Sequence, residues 1–231
     1  MDMTFGGKKA VVIGGSGGIG GAVSAALIAS GASVVSVGRH ETPGAKSLVL
    51  DLDYSANSAI VMDSIRDADV LCVVRGPFLQ KPLDETGPDE WASVVYANLT
   101  FPGMLVSAVL PQMKAKKWGR ILLFGGTRTD SVRGFKTNAA YAAAKTGLCS
   151  LVKSVTIGYA RDGITCNAVC PGFVDTEYLS SDLKEALAGK NPDGKLILTQ
   201  EIADSALFLM KNSVYNGVVL SVDKGWSPAF I

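Results

Sequence analysis

Histidine is almost missing from this chain: His40 is the only one among 231 residues. A His-rich metal site is excluded by count, and so is a histidine triad or general base anywhere but at that position. Proton chemistry therefore falls to Tyr, Lys, Asp, Glu or Cys. Charge is also sparse, at 19% of residues, and nearly balanced, with 22 basic against 21 acidic side chains. That balance argues against a nucleic acid or an anionic membrane as a partner drawn by bulk charge. Cysteine is limited to Cys72, Cys149, Cys166 and Cys170, with no metal-type spacing, so no metal site is expected. The four are expected to be buried structural thiols in a reducing cytoplasm.

What is plentiful is apolar residues, 48% of the chain, and glycine, 26 residues. The apolar share is enough for a large core, and the length fits one domain over 1–231. No charge occurs from Ala10 to Gly38, a run as long as a membrane span, but its glycines favour a strand, a loop, a helix and a second strand. A soluble protein is expected.

Short apolar strands alternate with helical stretches. Strands are expected at Lys9–Ile13, Ser33–Val37, Ser47–Leu50, Asp69–Val74, Arg120–Phe124, Thr165–Val169 and Val218–Val222. Helices are expected at Ala22–Ser30, Asn57–Asp67, Trp91–Met113, Ala139–Arg161 and Glu201–Asn212. Continuous apolar strands between helices predict an α/β fold, a doubly wound parallel sheet of about seven strands with helices on both faces. The stretch between Arg39 and Asp51 is too short for a full crossover helix.

Two constellations carry chemistry. Gly14-Gly15-Ser16-Gly17-Gly18-Ile19-Gly20 follows the first strand and opens a helix, where glycine lets backbone approach a pyrophosphate and the helix N-terminus offers free N–H groups. The second strand ends in Gly38-Arg39, where an NAD site would carry an acid; a guanidinium there suits a 2′-phosphate, so NADP(H) is favoured over a plain surface arginine. The second constellation is Tyr141 and Lys145, at i and i+4 on one helix face. An ammonium beside a phenol lowers its pKa, which makes the pair an acid–base device without histidine.

These motifs resemble the short-chain dehydrogenase/reductase family, classical type, nearest to its 3-oxoacyl reductases. The likeness runs from Lys9 to Gly225 and includes Asp51-Leu52, Asn98, Gly119-Arg120-Ile121, Asn167 to Thr176, and Val222-Asp223-Lys224-Gly225. It implies a Rossmann fold and an NADPH-dependent carbonyl reductase or alcohol dehydrogenase, a 3-oxoacyl thioester being one candidate substrate. By resemblance, Tyr141 is the general acid, Lys145 lowers its pKa and holds the nicotinamide ribose, and Asn98 keeps a water that links Lys145 to solvent. Gly14, Ser16, Gly18 and Ile19 would line the pyrophosphate, Arg39 the 2′-phosphate, and Asp51 and Leu52 the adenine. Gly76, Pro171 and Gly172 belong to the matching cofactor loops, and Val174 and Thr176 would hold the carboxamide.

Three departures stand out. The family's Asn-Asn-Ala-Gly is Val73-Val74-Arg75-Gly76, its leading Thr is Ile13, and its catalytic serine falls on Gly126. Thr127 is the candidate replacement hydroxyl and Ser131 a weaker one. These losses motivate an alternative: a catalytically weak NADP-binding regulatory or scaffold protein. A lid is expected over about 177–199, made basic by Lys184, Lys190 and Lys195. The two long helices and the apolar end Trp226–Ile231 are expected to pair copies into a homodimer or homotetramer.

Overall fold

Strand β1 (Lys9–Ile13) explains the layering of the whole domain. Val11 and Ile13 belong to one buried cluster, while Ala10 and Val12 belong to another. Successive side chains on a strand point to opposite faces, so a strand apolar at every position from Ala10 on must be covered on both. The computed structural model describes residues 4–52 and 57–227.

The described elements alternate as expected: α1 (Gly18–Ala29), β2 (Ser33–Gly38), β3 (Lys46–Val49), α2 (Ser58–Ile65), β4 (Val70–Val73), α3 (Pro88–Val95), α4 (Phe101–Lys116), β5 (Gly119–Phe124) and α5 (Ala139–Tyr159). Then follow β6 (Ile164–Pro171), β7 (Val174–Asp175), α6 (Ser181–Ala188), β8 (Ile197–Leu198), α7 (Thr199–Lys211) and β9 (Val219–Val222). Seven strands form one parallel sheet in the order β3-β2-β1-β4-β5-β6-β9. This is the Rossmann arrangement, with α2, α4 and α5 over one face and α1 and α7 over the other. The uncharged run from Ala10 to Gly38 thus becomes β1, the glycine loop, α1 and β2. The 2-stranded pair β7-β8 was not foreseen, because each strand is only two residues long.

Between β2 and β3 there is no helix; the short connection is pinned by Thr42, whose buried hydroxyl meets Ser36 Oγ at 2.7 Å and Gly15 O at 3.2 Å. The expected helix Trp91–Met113 starts earlier, at Pro88, and is interrupted by a π turn over Tyr96–Thr100. The resulting stretch, Pro88–Lys116, is long and apolar enough to cross a membrane by length and composition alone. Its apolar side is spent on the sheet, where Leu105, Val109 and Met113 are fully buried. At about 1.5–3 kcal/mol each, three such side chains bind the helix to the core.

Candidate active site

At the carboxyl ends of β1 and β4, where the strand order reverses, the structure leaves a cleft of about 530 Å³. Gly14, Ser16, Gly18, Ile19, Arg39, Asp51, Leu52, Gly76 and Thr176, all expected at the cofactor, line it. Gly38, Leu50, Arg75, Pro77, Phe78 and Tyr178 line it as well. Of these, Phe78 and Tyr178 carried no sequence signal, since single aromatics in loops have no period.

The glycine loop is shaped by close approach. Gly14 sits at φ +83°, and a Cβ on Gly20 would run into the Gly14 carbonyl. With both positions bare, the start of α1 lies against the end of β1, and its first N–H groups face the cleft. One of them already holds an anion: Gly18 N–H donates to Glu177 Oε1 at 2.8 Å. Glu177 is held below the usual carboxylate range, first by its own backbone N–H and next by that of Gly18, against the cost of partial burial. The Tyr178 hydroxyl faces both Glu177 and the Arg39 guanidinium; burial, ahead of Glu177, raises its pKa. A carboxylate on the helix N-terminus and a guanidinium at the end of β2 are the chemistry a dinucleotide phosphate would use. The residues present therefore fit such a cofactor.

The Tyr141–Lys145 pair lies beside this cleft. Phe78, on its wall, meets Tyr141 edge to face with ring centroids 5.0 Å apart. Gly76, also on the wall, is flanked by Lys145 Nζ and by Asn98 Oδ1, which a Cβ there would meet at 2.5 Å. The π turn explains Asn98: its Nδ2 donates to Val94 O and to Pro77 O, both at 3.0 Å, and so caps a carbonyl of the preceding turn. Its Oδ1 is buried and, among the described residues, without a hydrogen-bond partner. A buried acceptor and a buried ammonium on either side of a glycine make a polar niche suited to a water or a ribose hydroxyl.

The electrostatics differ from the expectation that Lys145 lowers the phenol's pKa. Burial pushes Tyr141 well above the ordinary phenol value. Lys145 Nζ lies 5.9 Å from the Tyr141 ring centroid and donates to Phe124 O at 2.8 Å. Burial brings Lys145 down to about 8, with Cys170 opposing and Arg75 adding to the fall. Desolvation is the leading cause at both groups.

The serine position itself carries no hydroxyl. Gly126 is the residue there, a Cβ on it meeting the Tyr141 hydroxyl at 2.7 Å. Thr127 donates its own hydroxyl to Pro171 O at 3.0 Å. Ser131 Oγ accepts from Arg133 Nε at 2.9 Å, in an exposed pair. Pro171 ends β6 and Gly172 follows it, its N–H donating to Val222 O at 2.9 Å; neither lines the cleft. Val174 is buried in β7, paired with Ile197. The segment 177–199 starts with Glu177 and Tyr178 laid over the glycine loop and continues into α6. Two of its three lysines are engaged locally: Lys184 pairs with Asp175 at 2.6 Å, and Lys190 lies 5.6 Å from the Phe173 ring centroid.

Trp226 packs edge to face on Phe173, 4.8 Å between centroids, within its own chain; 228–231, the rest of the apolar end, lie outside the described residues. Cys72, Cys166 and Cys170 are buried, as expected, but Cys149 is only half-buried. Among the described residues, no group of three or more His, Cys, Asp or Glu could hold a metal.

Comparison with known proteins bears on the whole chain. A family model described as enoyl-(acyl carrier protein) reductase matches residues 14–227. The 3-oxoacyl-(acyl-carrier-protein) reductase FabG of Salmonella typhimurium is 34% identical, over 96% of this chain and 98% of its own. D-beta-hydroxybutyrate dehydrogenase of Cupriavidus necator is 27% identical, over 95% and 98%. Among solved structures, the TT0495 protein of Thermus thermophilus superposes with a TM-score of 0.86 at 31% identity, covering 96% of this chain and 99% of that one. A putative NAD(P)-dependent gluconate 5-dehydrogenase from Beutenbergia cavernae, with bound NADP at low occupancy, has a TM-score of 0.86 at 27% identity, covering 97% and 98%.

Proposed function

Because the chain belongs to the short-chain dehydrogenase/reductase family, near its 3-oxoacyl-(acyl-carrier-protein) reductases, we propose that it is an NADPH-dependent carbonyl reductase with Tyr141 as general acid. It is an oxidoreductase acting on C=O and CH–OH groups, with a nicotinamide cofactor and a small-molecule substrate. The observation that carries the reading is the convergence of Tyr141, Lys145 and Asn98 on the wall of the glycine-loop cleft, through Phe78 and Gly76.

The bound nicotinamide would supply the hydride. The protein's part is proton supply and exclusion of water. Burial keeps the Tyr141 phenol protonated, so it can donate to a carbonyl oxygen placed within hydrogen-bond reach of its Oη. Lys145, at about 8, can return that proton near neutral pH, and Asn98 Oδ1 gives a relay water an acceptor beside it. Arg39 would take the 2′-phosphate, with the free N–H groups of α1 on the pyrophosphate. With Gly126 in place of a serine, no side-chain donor there polarises the carbonyl, which in comparable sites is worth about a hundredfold in rate. Turnover slower than that of a serine-bearing relative follows.

A homo-oligomer in the cytoplasm completes the reading: Ile157 on α5 and Met104 on α4 are apolar side chains left exposed on the two long helices. Light scattering at micromolar concentration tests it, a monomeric mass refuting it. The test of function is titration with NADPH and NADH, then oxidation of bound NADPH on a panel of ketones including 3-oxoacyl thioesters. Tight NADPH binding with turnover abolished in Tyr141→Phe is the expected result. Binding without turnover on any ketone would point instead to a regulatory or scaffold role, the reading that the bare Gly126 favours.

A further inference from the structure

Helix α5 carries a third reactive side chain on the face that bears the catalytic pair. Tyr141, Lys145 and Cys149 are spaced i, i+4 and i+8, so the thiol lies two turns below the phenol. Cys149 Sγ donates to Thr129 O at 3.2 Å and has the thiol of Cys170, on β6, as its neighbour. Cys170 Sγ in turn lies 3.9 Å from the Thr129 hydroxyl. Thr129 donates that hydroxyl to Gly126 O at 3.0 Å and accepts from Gly126 N–H at 2.8 Å. Both sulfurs are thus tied to the turn that sets the floor beneath Tyr141. Cys170 Sγ also fills the space where a Cβ on Gly125 would be.

We propose that Cys149 and Cys170 form a hydroperoxide-sensitive dithiol behind the active centre, and that closing its disulfide switches the enzyme off. The switch rests on the function proposed above; the covalent event does not. The two cysteines differ as an attacking and a resolving thiol should. Cys149 is half-buried and so within reach of a small oxidant, while Cys170 is enclosed. The neighbouring Cys170 thiol, foremost, lowers the pKa of Cys149; Lys153 helps, while partial burial and Asp130 oppose. Cys149 in turn, followed by burial, raises that of Cys170.

The Cys149 thiolate attacks one oxygen of the hydroperoxide; an S–O bond forms, the O–O bond breaks, and the alcohol or water leaves with a proton. Cys170 then loses its proton and attacks the sulfenyl sulfur; the S–S bond forms and water departs. In sum, two thiols and one hydroperoxide give a disulfide, an alcohol and water. A disulfide holds its sulfurs about 2.05 Å apart, far closer than two unlinked thiols approach. Closure therefore takes Cys149 away from Thr129 O and draws Cys170 from under Gly125. Gly126 moves with that turn, and the phenol loses its floor. Misplacement of a reacting group by about 1 Å costs on the order of a hundredfold in rate.

The experiment uses the reduced full-length protein, with hydrogen peroxide as the probe. Peptides are mapped without reductant, carbonyl turnover is followed, and dithiothreitol is then added. The expected result is a Cys149–Cys170 linked peptide, two hydrogens lighter than the sum, with turnover down by about tenfold to a hundredfold and restored by thiol. Cys149→Ser should neither form the link nor lose activity under the same treatment. Oxidation of Cys149 without the link, a link between chains, or a link that leaves turnover intact would each overturn the proposal. If the protein reduces no ketone, NADPH affinity before and after linkage replaces turnover as the readout. A link that forms but leaves that affinity unchanged then also overturns the switch.

Discussion

Lys145→Met should make this protein more stable while ending its catalysis. The lysine is 2% exposed, and burial takes its pKa from 10.5 to about 8. At about 1.4 kcal/mol per pH unit, holding the ammonium in the fold costs on the order of 3 kcal/mol at pH 7. The unfolded chain keeps the extra proton between pH 8 and 10.5, so the wild-type fold gains stability as pH climbs through that window. The cost falls to about 2 kcal/mol at pH 9 and under about 1 at pH 10.5. Methionine has a similar length and no charge, but it cannot donate to Phe124 O, a bond of 2.8 Å in the wild type. Losing that bond to a buried carbonyl costs about 1–2 kcal/mol. The net gain at pH 7 is therefore about 1–2 kcal/mol, at roughly 2–4 °C of melting temperature per kcal/mol in a domain of this size. Thermal and urea unfolding of both proteins without dinucleotide, at pH 7, 9 and 10.5, provide the assay. The variant should lead at pH 7, and its lead should shrink as pH rises. A variant destabilised at pH 7, or a difference that ignores pH, would refute the reasoning.

Other substitutions separate the roles at the site. Thr127→Ala should alter kcat by less than about threefold, since its hydroxyl is spent on Pro171 O, whereas Gly126→Ala should cut turnover at least about tenfold by pushing a methyl against the Tyr141 hydroxyl. Steady-state kinetics of the two on one ketone checks the order, and the reverse order would restore Thr127 as the polarising donor. Arg39→Ala should weaken NADPH binding by about tenfold to a hundredfold and leave NADH nearly unchanged, which fluorescence titration reads directly. Glu177→Ala should tighten NADPH binding several-fold by freeing the Gly18 N–H and relaxing Tyr178 over the loop; weaker binding would instead mean that Glu177 helps to form the site.

The layers were legible from periodicity, and the glycine loop from its motif between the first strand and a helix. Apolar runs such as Val11-Val12-Ile13 leave no polar face to solvent, and right-handed crossovers then restrict the order of the sheet. Nine of the residues expected at the cofactor do line one cleft, because they sit at strand ends, where spacing along the chain maps onto position in space. Side-chain direction was not legible. Thr127 and Gly126 are neighbours in sequence, yet one hydroxyl turns to Pro171 and the other position faces the phenol. Tyr178, Phe78 and Arg75 reach the cleft from loops, which have no period to reveal their facing.

The sequence by itself determined the fold, the family and the chemical types available: one histidine, a Tyr and a Lys one helical turn apart, and glycines where a backbone must approach an anion. Only the tertiary structure decided their charge states and partners. Two residues one turn apart attract each other in any helix. How far each is stripped of water depends on every element packed around them, and here that loss raises the phenol and lowers the ammonium. The same holds for Cys149 and Cys170, distant in the chain and both brought against Thr129 by the packing of α5 on β6.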